Sequence, residues 1–233
     1  MRKAAIKTAA VLLLFALVVG CFSGCSKLRV GGSIEMGNDD GETLRWDVIA
    51  VDGDRALVVA RESVDWRLFN DSYASVTWEN SSVRNWLNDT FYYYVFTPEE
   101  RARIIETEIE NPDNPDSGVD GGGKTTDRLF LLSYYEVRDY LGSGSRRTAW
   151  KSVRAHNSAQ QLNPDGYIGS FEARYWTRTP GDDSRSFLCV DEDGDFVSWP
   201  TGRASDRPEN QGGIQVKDDK NGGGVRPAMW IKR

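Results

Sequence analysis

The chain has 233 residues, with 29 basic and 35 acidic side chains and a formal charge of −6. Its first 24 residues hold three bases (Arg2, Lys3, Lys7) and no acid, so the remainder carries −9, a balance that argues against nucleic acid and against an electrostatic grip on anionic lipid. One histidine (His156) and three cysteines (Cys21, Cys25, Cys189) leave almost nothing from which to build an imidazole metal site or an intradomain disulfide.

Arg2, Lys3 and Lys7 precede an apolar run from Ala9 to Val19, which ends in Gly20-Cys21 and then Ser23-Gly24-Cys25. A charged start, an apolar centre and small residues before cysteine are the pattern of a bacterial lipoprotein signal peptide, read here over residues 1–24. The run is about a dozen residues, short of the roughly 20 that a membrane-spanning helix needs. Acylation of Cys21 or Cys25 would anchor the chain to the extracytoplasmic face of the cell membrane. Val18 favours Cys21; the Ser23-Gly24 pair favours Cys25.

Residues 25–43 are Gly-rich and polar and read as a flexible tether. A hairpin follows: Arg45–Val51 and Arg55–Ala60 flank Asp52-Gly53, two residue types that tolerate positive φ. Val83, Trp86 and Leu87 mark one face of a helix, capped by Asn80 or Ser81. Thr97-Pro98-Glu99-Glu100 predicts a second helix with a capping box and proline at its first position. A strand is expected over 104–109, a breaker-rich loop over 110–124 and a strand over 128–132. Ser133 and Glu136 form another capping box, before a short helix ending at Gly142. The last third predicts short aromatic strands at Tyr175–Arg178, Phe187–Val190, Phe196–Trp199 and Val225–Ile231, with Asp193-Gly194 as a hairpin turn and residues 200–224 mostly loop. The expected class is α+β: helices gathered early, an irregular antiparallel sheet late, in one domain over residues 44–233.

Chemistry-bearing patterns are few. Gly118 to Thr125 fits the phosphate-loop spacing G-x-x-x-x-G-K-[ST], but that mechanism needs a strand before it and a helix after it, and the sequence offers neither; no nucleotide is expected. Asp191-Glu192-Asp193-Gly194-Asp195 resembles a calcium loop, yet its glycine falls too early, and it reads as a turn. No serine sits in a nucleophile elbow, no spacing singles out a carboxylate pair, and Cys189 lies within an apolar strand. No cofactor is implied. The long late loops mix aromatic and planar polar groups, the usual anchors of recognition surfaces. They nominate Trp199, Arg203, Asp206, Arg207, Asn210, Asp182 and Asp183 as ligand contacts for a glycan, a peptide or another surface protein. The alternatives are a cell-envelope hydrolase using carboxylates such as Asp182, Asp183 or Asp206, and a structural or assembly subunit.

Four strings in order, VTWENSSVRNWLND (76–89), TTDRLFLLS (125–133), YWTRTPG (175–181) and GVRPAMWI (224–231), resemble a bacterial domain family of unknown function, often found in lipoproteins. That family is distantly similar to the C-type lectin-like fold, which includes formylglycine-generating enzymes and the variable binding proteins of diversity-generating retroelements. The resemblance implies a structural role for Trp78, Trp86, Trp176 and Trp230, buried and hydrogen-bonded Arg178 and Arg226, and a binding face on the loops 181–186 and 199–224. It does not carry the activities of formylglycine-generating enzymes, which use a cysteine pair, or of the related sulfoxide synthases, which use a histidine cluster, because the part after the signal has only Cys189 and His156.

Overall fold

The computed structural model describes residues 28–164, 174–203, 206 and 222–233. The signal-like segment with Cys21 and Cys25, and the loop residues Arg207 and Asn210, lie outside the described residues. No helix among the described residues is long and apolar enough to cross a membrane.

The fold is α+β, built mainly of strands in two curled, largely antiparallel sheets. The first sheet has the order β1-β2-β3-β13-β5, with β8 also pairing β13. Its members are β1 (Ser33–Asp39), β2 (Glu42–Asp52), β3 (Arg55–Ala60), β5 (Ile104–Ile105), β8 (Phe130–Leu131) and β13 (Pro227–Lys232). The second has the order β11-β10-β9-β12-β4: β4 (Asp65–Arg67), β9 (Tyr175–Pro180), β10 (Ser186–Val190), β11 (Phe196–Pro200) and β12 (Gly223–Val225). A small ribbon joins β6 (Thr107–Ile109) to β7 (Thr125–Asp127). The pairing of β12 with β9 is parallel.

The hairpins turn at the expected Asp-Gly pairs, with Gly53 at φ 58° and Gly194 at φ 87°. Both capping boxes form: Thr97 and Glu100 bond reciprocally at the start of α3 (Pro98–Arg101), and Ser133 and Glu136 do so at α4 (Tyr134–Glu136). Ser81 caps α1 (Ser82–Asn85), which runs through a π-helical stretch, Trp86–Phe91, into α2 (Tyr92–Val95).

Three expectations are corrected. The tether does not extend to residue 43: Ser33–Asp39 is β1, paired with β2. Its buried Met36 accepts the Trp46 indole N–H at 2.8 Å, and Asp40-Gly41 makes the hairpin turn. The segment 104–109 divides between sheets, because Ile104 and Ile105 pair with β13 whereas Thr107–Ile109 pair with β7. Helices are not confined to the early part, since α5 (Val153–Leu162) packs beside β4.

One apolar core lies between the sheets. Phe69 stacks on Phe187 at 3.6 Å between centroids and meets the edge of Trp176 at 5.4 Å. Trp46, Trp78 and Trp176 are fully buried within it. Burying such rings removes the most apolar area per residue and supplies much of the folding drive.

Candidate functional site

The four strings of the sequence resolve into buried joints. Asp127 accepts the Trp78 indole N–H at 2.9 Å, the Thr125 hydroxyl at 2.8 Å and Arg84 Nε at 2.7 Å. Asn88 accepts from the backbone N–H groups of Arg128 and Leu129 and donates to the Arg84 and Leu129 carbonyls. Trp86 is half-buried under the Arg67 guanidinium, 4.5 Å from its ring. Arg178 is buried, donates to the Leu131 carbonyl at 2.6 Å and the Glu110 carbonyl at 2.9 Å, and pairs with Glu136. Arg226 reaches the Ala60 carbonyl at 2.9 Å, the Arg147 carbonyl at 3.1 Å and the Tyr175 hydroxyl at 3.3 Å, so it ties the two sheets together. Trp176 donates to the Arg67 carbonyl, and the half-buried Trp230 lies under Arg55.

Of the nominated late-loop residues, Trp199, Asp182, Asp183, Arg203 and Asp206 are described. Trp199 is half-buried, packed on the core, and its ring face is covered by Arg174 at 3.6 Å. Asp182 and Asp183 are exposed in a tight turn: Asp183 Oδ1 accepts the Arg185 N–H at 2.7 Å, and the Asp182 N–H donates to Ser198. Arg203 and Asp206 are exposed, and only Arg203 lines a concavity. Cys189 is fully buried, and burial pushes its thiol far above its ordinary pKa, so it is inert. Asp191 Oδ1 accepts the N–H groups of Asp193 and Asp195, which closes the turn. Residue 125 begins a strand rather than a helix, and Lys124 pairs with Glu108 and Glu110.

A cleft of about 480 Å³ opens between the β1–β3 sheet and the start of α5. Its walls include Asp39, Glu42 and Arg45 from the first hairpin, Arg61 and Glu62 after β3, and Val153 and Arg154. Arg154 joins Asp39 at 2.5 Å and lies 3.6 Å from Asp65. Both carboxylates are buried. Burial raises the Asp39 pKa above its ordinary value, outweighing the opposing pull of Arg154. Ser152 caps α5 by accepting the Ala155 N–H, which sets Arg154 on the first turn, against Asp39.

Exposed rings flank this pair. Tyr94 is 54% exposed, its hydroxyl donates to Asp40, and Arg154 lies 5.7 Å from its ring centroid. That hydrogen bond is the main cause of its raised phenol pKa. Tyr93 is exposed beside it. Val153, which lines the cleft, is 64% exposed, and nearby in the chain Trp150 is 55% exposed with its carbonyl accepting the Ser63 N–H at 2.8 Å. Sequence reasoning missed Asp39, Tyr94, Trp150 and Arg154. One local signal was available: in Tyr92-Tyr93-Tyr94 a short helix can bury only one ring of the three, and Tyr92 takes that place.

No curated protein and no solved structure matches the chain. A family model described as a domain of unknown function (DUF6273) matches residues 53–233. The match begins in the β2–β3 turn, so β1 and most of one cleft wall lie outside it, whereas α5 lies within. With most of its length matched, the chain belongs to the DUF6273 family of domains of unknown function.

Proposed function

We propose that the protein is a non-catalytic recognition module, lipid-anchored through Cys21 or Cys25 at the extracytoplasmic face of the cell membrane, that holds a glycan in the cleft between β1–β3 and α5. The observation that carries this reading is the buried Asp39–Arg154 pair in a cleft flanked by exposed Tyr94. Sugars stack their apolar faces on exposed rings and exchange hydroxyl hydrogen bonds with carboxylates and guanidinium groups, the combination gathered here. Tyr94 is held by Asp40 and Arg154, so little side-chain freedom is lost on binding. Within the α+β class, the C-type lectin-like comparison is supported by the buried, carbonyl-bonded Arg178 and Arg226 at the positions that the resemblance marks.

Glycan and peptide arrays probed with the full-length protein in detergent test the reading. Tyr94→Ala and Arg154→Gln should each weaken glycan binding by about tenfold. Binding to peptides alone, or turnover of cell-wall fragments, would overturn it. Metabolic labelling with a fatty acid tests the anchor: Cys21→Ser or Cys25→Ser should remove the label, and a label that survives the double change would refute it.

A further inference from the structure

A second hollow, of about 400 Å³, lies on the other side of β4, between that strand, the C-terminal half of α5 and Arg203. Trp66, Arg67, Asp71, Ser158, Gln161 and Arg203 line it. It shares no lining residue with the Asp39–Arg154 cleft.

The charge in and behind it is mostly positive. Arg67 stacks on Trp86 at 4.5 Å and spends one amino group on Asp65 at 3.3 Å, with its side chain still 38% exposed. Arg203 is exposed and makes no side-chain hydrogen bond or ion pair among the described residues. Lys151 and Arg174, both buried, approach the Trp66 ring at 5.3 Å and 5.4 Å and add their field from behind. The opposing carboxylates are Asp71, which lines the hollow without forming an ion pair, and Asp65, already engaged by Arg67 and Arg154. Gln161 and Ser158 add neutral donors on the α5 side, without a side-chain partner among the described residues. Two guanidinium groups with free donors, beside an amide and a hydroxyl in one concavity, match the planar, multi-acceptor geometry of an oxyanion.

We propose that this hollow is a binding site for an oxyanion, a phosphate or carboxylate group, gripped by Arg67 and Arg203 and oriented by Gln161 and Ser158. The group would come either from a free small molecule or from a charged substituent on a surface polymer. The shared requirement is two or more acceptor oxygens on one centre.

Calorimetric titration of the full-length protein in detergent with inorganic phosphate, citrate and glucose 1-phosphate tests this directly. The expected result is saturable binding of phosphate or citrate that weakens as salt is raised. Arg203→Gln should weaken it by about tenfold. Arg203 is exposed and makes no side-chain bond among the described residues, so this change is not expected to unfold the protein; Arg67→Gln is the second variant, read with its thermal transition. Tighter binding of glucose 1-phosphate than of inorganic phosphate would identify a phosphorylated sugar as the source. Tyr94→Ala should leave the affinity unchanged, so failure of the glycan reading and failure of this one are distinguishable. Absence of saturable binding for all three anions, or affinities that Arg203→Gln does not alter, would overturn the proposal.

Discussion

Arg178 shows what the recurrent strings encode. Its side chain is 2% exposed, yet it has backbone carbonyls at Leu131 and Glu110 and the carboxylate of Glu136 as partners. A guanidinium removed from water is tolerated only when its donors are met, and removing it strands the acceptors it served. Arg178→Met should lower stability by about 3–5 kcal/mol, read as a fall in the urea midpoint with an unchanged slope. An unaltered midpoint would show that these carbonyls find other donors. Asp39 gives a prediction of opposite kind. Its pKa is raised above 3.8 by burial, so the folded state holds the proton more tightly than the unfolded chain does. Its contribution is therefore full below the ordinary carboxylate range and is lost as pH rises through the folded value. Asp39→Asn should remove that part of the pH dependence: the melting-temperature gap between variant and wild type should shift in favour of the variant with rising pH and then level off. A gap that is flat from pH 3 to 8, roughly the span over which such a carboxylate titrates, would refute the assignment. The resemblance already implied a buried, hydrogen-bonded Arg178, but the Asp39–Arg154 pair was not visible in the sequence. Residues 39, 94 and 154 are far apart along the chain, and only the tertiary fold brings them to one cleft.

Elements with local chemistry were legible in the sequence, and elements made by distant partners were not. The Asp52-Gly53 and Asp193-Gly194 hairpins and the two capping boxes carry their instructions within four residues, and each forms. β4 is three residues whose pairing lies with Gly223–Val225, far down the chain. α5 buries only Ala155 and Ala159 among polar residues, too weak a stripe to read as amphipathic. β1 hid behind Gly31, Gly37 and Gly41, all at positive φ. Glycine also explains β12. A Cβ on Gly224 would collide with the Ser63 side chain, 2.9 Å from its Cβ, and with the Arg174 carbonyl at 3.1 Å. Gly224→Ala should cost about 1–3 kcal/mol. Ser63→Gly in the same chain should restore part of the loss if the clash is the cause. Equal melting temperatures for the single and double variants would locate the strain elsewhere.

At the scale of the molecule, the buried Trp and Arg residues of the four strings hold the scaffold together and the chemistry that could meet a ligand lies on the surface. Trp78, Arg178, Trp176 and Arg226 are buried, whereas the cleft is walled in part by β1 and β2, whose residues before 53 fall outside the family match. The fold's closure depends on one late stretch. Residues 223–225 enter the middle of one sheet, between β9 and β4, and residues 227–232 enter the middle of the other, between β3 and β5. Without that stretch both sheets are split and Arg226 no longer spans them. A chain ending at residue 222 should show no cooperative unfolding and no near-ultraviolet circular dichroism; a sharp transition in that chain would refute the dependence. This arrangement also sets the timing of folding. Partners separated by most of the sequence must wait for the late strands, so closure is slow and all-or-none. A nascent chain that cannot lock its core early stays open until its last strands are made.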